Sequence, residues 1–313
     1  MEPTLKQLRA FVAAAEAGQF TRAAERLGLS QSAVSTLINQ LERNLSLRLF
    51  DRHTRLLRLT ESGAEVLAVA RRAIGDIDNM IENARELNTL SRGRVAIASG
   101  TLQAALLLPR LIRAFNQRHE NVDVSLHDVS ERVMIDMVKS GSVDIGLGTL
   151  PDNDSEIVGT PLVTDSFLVV MRPEHPIARR RSLRWKDLEG ETLIGPQRGN
   201  PIRDRFEAEL ARAGITLTLH RSFQDVSLPL TIIGMVDAGL GVAIMTSTVI
   251  PLARSMGLVT VMPNEPQIER DISLIIRSDR SLSPTARQFR DFLHRSVQEE
   301  ARRRSRAPRA SHC

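Results

Sequence analysis

Four short polar side chains stand close together near the start of the chain, at Gln31, Ser32, Ser35 and Thr36. At helical spacing they share one face of a helix. The other face of that helix is apolar, with Val34, Leu37, Ile38 and Leu41. Glutamine can pair with adenine through two hydrogen bonds, and serine and threonine hydroxyls can contact base edges or phosphates. The pattern is typical of a helix that enters the major groove of DNA, and a solvated helix face is the alternative.

Three predicted helices position this polar face. Residues 5–15 have apolar side chains at helical spacing before Gly18, and residues 21–27 form a second helix. Ser30 is placed to cap a third helix over residues 31–44, where it also stands beside the DNA-contacting residues. Four residues fall at the spacing that a helix-turn-helix requires: Ala24, Gly28, Val34 and Leu37. The spacing predicts that motif, with an ordinary helical hairpin as the alternative.

Residues 49–60 form two short strand-like pieces around a polar, basic turn. We expect a wing beside the helix-turn-helix, with Arg52 and Arg55 reaching phosphates or the minor groove. The first sixty residues contain nine Lys or Arg and five Asp or Glu, whereas the net charge of all 313 residues is only +5. This local excess of positive charge favours a polyanionic partner.

A long helix is predicted for residues 61–90, which contain no proline. Apolar residues recur there at alternating steps of four and three: Val66, Ala70, Ala73, Ile77, Met80, Ala84 and Leu87. A single helix cannot bury a heptad stripe of this width, so we predict that it pairs with the same helix of a second copy.

From residue 91 onwards strand and helix patterns alternate, which predicts α/β lobes. The strand candidates are residues 94–99, 122–126, 144–147, 167–171, 242–245 and 272–276. Pro109 predicts a kink or a late start in the helical pattern of residues 106–115. A weak repeat relates residues 128–147 to residues 225–245 and suggests two similar lobes, with chance similarity as the alternative.

The sequence AAERLGLSQSAVS at residues 23–35, together with residues 41–42, 49–52 and 59–63, resembles the signature of LysR-type transcriptional regulators. Ser46 stands where that family usually has glycine, so we expect a different turn conformation there. Thr36 replaces a longer polar or basic residue. The resemblance implies a winged helix-turn-helix, a dimerising linker helix and a two-lobed α/β domain like a periplasmic binding protein. It also implies two strands crossing between the lobes, near residues 163–165 and 268–271.

The resulting domain prediction is a DNA-binding domain at residues 1–60, a linker helix at 61–90 and an effector-binding domain at 91–300. Lobe I comprises about 91–163 and 270–300, and lobe II about 164–269. Arginine-rich residues 301–313 are expected to form a disordered basic tail. The partners implied by the resemblance are an inverted-repeat site on double-stranded DNA, a small-molecule effector and further copies in a homodimer or homotetramer, a dimer of dimers. RNA polymerase is a candidate partner.

In such a fold a ligand lies between the lobes, beyond the carboxyl ends of the strands. The residues that the resemblance places there are Ser99, Gly100, Thr101, Thr149, Arg198, Asn200 and Thr246. Arg198 would pair with a carboxylate, so we expect an effector that is a carboxylate or another anion. Helix capping is the alternative role for hydroxyl residues at strand ends.

Other classes of protein fit the sequence less well. The chain has no complete dinucleotide fingerprint, Walker loop or nucleophile elbow, and its histidines are scattered, so neither an enzyme nor a metal or cofactor site is expected. A solute-binding protein for transport would need a secretion signal, which is not recognisable. A nucleoid-associated protein without a sensor remains an alternative. Cys313 is the single cysteine, and no apolar run reaches ~20 residues, so we expect a cytoplasmic protein without a membrane span.

Overall fold

The computed structural model describes residues 2–51, 57–88, 93–180, 182–219, 226 and 228–306, and at residues 79, 82–83, 85–88 and 300–306 only the backbone. The chain divides into an N-terminal unit, which ends with a long helix, and a C-terminal unit, which begins with a strand at Gly93. Arg52, Arg55 and residues 307–313 of the predicted tail lie outside the described residues.

The elements of the N-terminal unit are the helices α1 (Leu5–Ala17), α2 (Phe20–Leu27), α3 (Gln31–Leu45) and α4 (Glu61–Asn88), with the strands β1 (Phe50–Asp51) and β2 (Arg58–Leu59). The two strands pair antiparallel and form the predicted wing. The core joins α1, α2 and α3, and its largest side chains are Phe11, Ile38, Leu41 and Leu49. This arrangement confirms the predicted winged helix-turn-helix.

Local signals fix the ends of these helices. The Thr4 side chain accepts a hydrogen bond from the Gln7 N–H while the Gln7 side chain accepts one from the Thr4 N–H, which makes a capping box at the start of α1. Ser30 caps α3 as predicted. Ser46 ends α3 with φ 53° and ψ 31°, in the left-handed region. The expectation of a different turn is therefore wrong, since Ser46 adopts the conformation that glycine would supply.

Helix α4 is 28 residues long and changes its environment along its length. Ala70 is buried in the core of the N-terminal unit, and Val66 and Leu67 pack against that core. Further along the stripe, Met80 has 63% of its surface exposed and Ile81 38%. The start of the predicted seam is thus covered by the chain's own core, whereas Met80 and Ala84 further along it are exposed.

The strands of the C-terminal unit are β3 (Gly93–Gly100), β4 (Val122–Val129), β5 (Ile145–Thr149), β6 (Ile157–Met171), β7 (Leu193–Ile194), β8 (Val242–Thr246), β9 (Val259–Val261) and β10 (Glu269–Arg277). The sheet order is β4-β3-β5-β10-β6-β8-β7, and β9 also pairs with β6. The pairs β3–β4, β3–β5 and β7–β8 are parallel, and the pairs made by β6 and β10 are antiparallel. All six strand candidates are found, although β6 begins ten residues before its predicted start.

The helices of this unit are α5 (Thr101–Leu106), α6 (Leu108–Asn116), α7 (Glu131–Lys139), α8 (Pro201–Arg212), α9 (Pro229–Asp237), α10 (Ile250–Ser255) and α11 (Pro284–Arg306). Pro109 lies in the first turn of α6, so it gives the late start that was predicted. Helix α11 runs to Arg306, and the predicted disordered tail is therefore wrong for residues 301–306.

Two lobes share the sheet, because β6 and β10 belong to both. Strand β6 pairs with β10 from Ile157 to Ser166 and then with β8 from Phe167 onwards. Each lobe has apolar clusters on both faces of its sheet, around Phe289 and Met134 in lobe I and around Trp185 and Ile233 in lobe II. The crossing strands lie where the family resemblance implied.

Candidate functional site

The predicted DNA-reading residues lie together at the N-terminal end of α3. Ser30, Gln31, Ser32 and Thr36 are exposed, and Ser35 is half-buried. Val34 and Ile38 on the other face are buried in the core. Burial of one face fixes the orientation of α3, so that the polar face is presented to solvent.

The hydrogen bonds of this face are local. The Thr36 hydroxyl donates to the Ser32 carbonyl at 2.8 Å, and the Thr21 hydroxyl is 3.4 Å from the Gln31 side-chain oxygen. Ser30 accepts from the Ala33 N–H at 3.2 Å. The Ser32 hydroxyl also pairs with the Ser30 hydroxyl at 3.0 Å. The Gln31 amide nitrogen remains suited to an external partner, since these contacts engage other atoms.

A buried carboxylate that the sequence analysis missed connects α3 to the wing. Glu42 is 9% exposed, and its Oε1 accepts hydrogen bonds from the N–H groups of Leu49 at 2.8 Å and Phe50 at 3.3 Å. These bonds fix the start of β1 against the reading helix. The sequence did contain a signal for this residue. Glu42 is an acid on the buried side of an amphipathic helix, one turn before the end of that helix.

The predicted effector residues of lobe I lie at the carboxyl ends of β3 and β5. Ser99 is fully buried, and its hydroxyl donates to the Leu147 carbonyl at 2.9 Å, so it joins the two strands. Gly100 is buried and Thr101 is half-buried at the start of α5. Thr149 is buried at the end of β5. Thr246 is buried at the end of β8 in lobe II, the corresponding position of the second lobe.

A buried ionic cluster connects these strand ends, and none of its charged members was predicted. Arg270 of β10 is 3% exposed and lies opposite Asp165 of β6 in the strand register. Its Nη2 donates to Asp165 at 3.0 Å, and its Nη1 lies 3.4 Å from Glu131 and also donates to the Thr149 hydroxyl. One guanidinium therefore binds carboxylates from α7 and β6.

Asp165 extends the cluster into lobe II. Its Oδ1 accepts from the Ser247 hydroxyl at 2.6 Å and from the Thr248 N–H at 3.0 Å, and its Oδ2 accepts from the Thr248 hydroxyl at 3.0 Å. Thr246 is a further hydroxyl that lowers the pKa of this carboxyl. The cluster thus places Thr149 and Thr246, which were predicted separately, beside the same group of buried charges.

The two carboxyls of the cluster have opposite pKa shifts. Burial alone would raise the pKa of Asp165, but Arg270 and the hydroxyl donors hold it below the ordinary value. Burial raises the pKa of Glu131 above its ordinary value, and Arg270 and the Thr149 N–H offset this only in part. Asp165 is therefore the carboxyl that is stabilised as an anion.

The other predicted residues of lobe II, Arg198 and Asn200, lie apart from this network. Asn200 is buried and accepts from the Ile202 N–H at 2.9 Å, so it caps α8. Arg198 is exposed. The contact that Asn200 makes is therefore helix capping, which was the alternative to effector binding. No described contact joins Arg198 to the cluster.

A pocket of ≈ 460 Å³ lies between the lobes. Its walls include Thr149 of lobe I, Pro201 and Asp204 of α8, and Arg270 and Asp271 of β10. A second pocket of ≈ 300 Å³ is lined by Gln103 of lobe I, Asp165 of β6, and Ser247 and Thr248 of lobe II. Both are within or near the usual size of small-molecule sites.

Among the described residues, no group of three or more His, Cys, Asp or Glu is arranged to hold a metal ion. Within the same part of the chain, no helix is long and apolar enough to span a membrane.

Comparisons with known families match both units. The family described as "Bacterial regulatory helix-turn-helix protein, lysR family" matches residues 5–64, and the family described as "LysR substrate binding domain" matches residues 88–298. Together they cover the helix-turn-helix with its wing and both lobes.

Similar proteins match over nearly the whole chain. The RuBisCO operon transcriptional regulator of Allochromatium vinosum is 32% identical over 296 residues, with 94% of this chain and 96% of that protein covered. The uncharacterized HTH-type transcriptional regulator YbhD of Escherichia coli (strain K12) is 31% identical over 289 residues, with 92% and 90% covered. The fold is also similar to full-length CbnR complexed with its target DNA, with a TM-score of 0.68, 22% identity, and 95% of this chain and 100% of that chain covered.

Proposed function

The chain belongs to the LysR family of transcriptional regulators, and on that premise we propose which of its residues read DNA and which bind the effector. As a LysR-type regulator it is a DNA-binding protein, not an enzyme, and its C-terminal unit is an effector-binding domain. The proteins it resembles are transcriptional regulators, so we infer that it works in the cytoplasm. The following assignments concern its own residues.

The reading surface is the exposed N-terminal face of α3, with Ser30, Gln31, Ser32, Ser35 and Thr36. The observation that carries this proposal is that these polar side chains are exposed, with Ser35 half-buried, while the opposite face is packed into the core. Gln31 is suited to adenine, and the hydroxyls suit bases or phosphates. Arg52 and Arg55, in the turn between the wing strands, are proposed to contact phosphates or the minor groove.

Selection of bound sequences from a random pool of DNA duplexes tests the assignment. We expect an inverted repeat to be enriched, because a symmetric dimer presents two reading helices. The Gln31→Ala protein should enrich a consensus that is relaxed at one position in each half-site. Enrichment of no sequence, or the same consensus from Gln31→Ala, would contradict it.

The exposed second half of the α4 stripe is proposed to pair with a second copy. Met80 and Ile81 are exposed in the single chain, although the heptad pattern continues through them. Replacement of both Ile77 and Met80 by Asp should give monomers with weak operator affinity. Ala68→Asp, which lies off the stripe, is the control. Sedimentation would show an unchanged mass for the double variant if the proposal is wrong.

Association of two dimers into a tetramer and contact with RNA polymerase are proposed only by family analogy.

The effector is proposed to bind between the lobes, in the pockets beside the Arg270 cluster, with Thr101, Thr149 and Thr246 nearby. An effector that binds one arrangement of the lobes more tightly would shift the population toward it and change the DNA bend. Thr101→Trp should abolish thermal stabilisation by a stabilising metabolite while DNA binding is kept, and Glu120→Trp at an exposed turn should not. An unaltered response in Thr101→Trp would remove Thr101 from the site.

A further inference from the structure

The Glu131 side chain lies where the sequence suggested that an anionic effector would bind. Glu131 is the first residue of α7 and is 3% exposed. Its Oε2 accepts from the Thr149 N–H at 2.9 Å, and its Oε1 faces Arg270 at 3.4 Å. The backbone donor at the end of β5 and the buried guanidinium are therefore already bound to a carboxylate of the chain itself.

Two glycines give this carboxylate its space. A Cβ added to Gly100, at the end of β3, would lie 3.1 Å from Glu131 Oε1. A Cβ added to Gly148, in β5, would lie 2.2 Å from Glu131 Oε2. Any other residue at Gly148 would displace the carboxylate, because 2.2 Å is far inside van der Waals contact. The strand ends thus form a cradle that fits a carboxylate group.

The charge balance of the cluster disfavours a further anion. Arg270 is bound by Glu131 and also by Asp165, so two carboxylates share one buried guanidinium. A third carboxylate at Arg270 would be desolvated beside the two carboxyl groups that already share that guanidinium. The nearby Gln103 is different, because it is 2% exposed and its Nε2 makes no hydrogen bond within the described part of the chain. That amide lines the ≈ 300 Å³ pocket and offers a donor to a neutral oxygen.

We propose that the Glu131 carboxyl occupies the position of lobe I where the strand ends would otherwise bind an anion, and that the effector therefore presents an uncharged oxygen, a hydroxyl or carbonyl, to these strand ends. The part concerning the effector rests on the proposed site between the lobes. The part concerning Glu131 does not require an effector or DNA. Glu131 is accordingly a specificity-determining residue that excludes carboxylate, phosphate and sulfate groups from the position it fills.

Chemical rescue of the full-length chain tests the first part. Glu131→Ala removes the carboxylate but leaves the Thr149 N–H, Arg270 and the glycine cradle. We expect its melting temperature to fall and to be restored by sodium formate, in a saturable rise of about 2 °C or more over sodium chloride of equal ionic strength. Formamide, the uncharged isostere, should not restore it. The wild type and Asp136→Ala, an exposed acid on the same helix, should show no saturable response to formate.

Other outcomes are decisive as well. Glu131→Gln keeps the volume of the side chain, so it should fold and give no response to formate. A Glu131→Ala protein that folds only when formate is present supports the proposal. A protein that stays unfolded in formate, or that formate and formamide stabilise equally, overturns it.

A metabolite screen by thermal shift separates the second part from the proposed effector site. An anionic compound that stabilises the wild type, and that loses its effect in Gln103→Ala and Thr101→Trp, would overturn the exclusion of anions. A neutral compound that stabilises the wild type and loses its effect in the same two variants would support the exclusion of anions. If no compound depends on the residues between the lobes, the proposed effector site fails, and formate rescue still decides the role of Glu131.

Discussion

The reading face of α3 and the Arg270 cluster both gather polar side chains, but they bond them in opposite ways. On α3 the polar groups are exposed and bonded mainly within one turn or to the adjacent helix. In the cluster they are buried, and the two ion pairs of Arg270, with Glu131 and Asp165, join residues more than a hundred positions apart. The polar groups of the first region are therefore accessible to a partner, whereas those of the second hold two lobes and a crossing strand together.

The largest difference between the regions is expected for Arg270→Ala. The substitution leaves the buried Glu131 and Asp165 without their cation, which costs about 3–5 kcal/mol of the free energy of unfolding. Urea unfolding measures this loss. Arg198→Ala, which removes an exposed arginine of the same unit, should change the value by less than about 0.5 kcal/mol. Similar values for the two variants would contradict the structural role of the cluster.

Glu42→Ala tests the one place where the N-terminal unit resembles the cluster. Glu42 is a buried carboxylate that accepts from two backbone N–H groups of the wing strand. Hydrogen bonds to a charged group contribute about 1.5–3 kcal/mol, so we expect a loss of that size together with weaker DNA binding. Glu25→Ala, an exposed acid of α2, is the control for stability. Weaker DNA binding with an unchanged unfolding transition would show that Glu42 does not position the wing.

Gln31→Ala should weaken DNA binding and leave stability unchanged, whereas Arg270→Ala should reduce stability. A bidentate contact to a base is worth about 1–3 kcal/mol, so affinity for the selected operator should fall about 5- to 150-fold with the melting temperature unchanged. Fluorescence anisotropy at one fixed salt concentration measures the affinity. Gln40→Ala, near the other end of α3, should bind DNA like the wild type. A loss of stability in Gln31→Ala would blur the distinction between the two regions.

The pH dependence of stability gives the smallest effect. The pKa of Asp165 is lower in the folded state, so its contribution is present above the ordinary value of 3.8 and is lost as the pH falls. The pKa of Glu131 is raised, so its contribution has the opposite sign and is lost as the pH rises through the folded-state value. Asp165→Asn should therefore reduce the acid slope of the unfolding free energy by at most about 1.4 kcal/mol per pH unit. An unchanged slope between pH 3 and 6 would contradict the ion pair.

The elements could be predicted from the sequence because their signals are local. The Ser30 cap, the Ala24–Gly28 turn and the apolar face of α3 are each set by residues within one or two turns. The Arg270 cluster is not local, because its members lie in α7, β6, β10 and the segment after β8. A partial signal was nevertheless present. Arg270 stands at strand spacing between Ile268 and Ile272, on the buried face, and a charge at such a position requires a partner.

The polar face of α3 was thus recognisable from residue types, whereas the presence of the Glu131 carboxyl at the strand ends of lobe I was not. Hydroxyls and glycines at strand ends indicate an anion there, whereas Glu131 follows Ser130 and has the pattern of an ordinary first-turn acid of a helix. Only the approach of α7 to β5 brings its carboxylate to the Thr149 N–H. Sequence spacing contains no information about that approach.

Strand β6 also determines how the lobes can move. Its 15 residues pass without interruption from one half of the sheet to the other, and β10 lies alongside through the crossing. Rotation of one lobe against the other must therefore change the twist of this hydrogen-bonded ribbon. Because the ribbon resists twisting, small rotation angles between the lobes are favoured over wide opening. The pairing register shifts by one residue at Leu162, opposite the step from Ile272 to Ser273, and a bulge of this kind increases local twist. The ribbon therefore twists most easily a few residues from Asp165. The elastic energy of lobe rotation would thus be stored in the same stretch of chain that contains the ionic cluster.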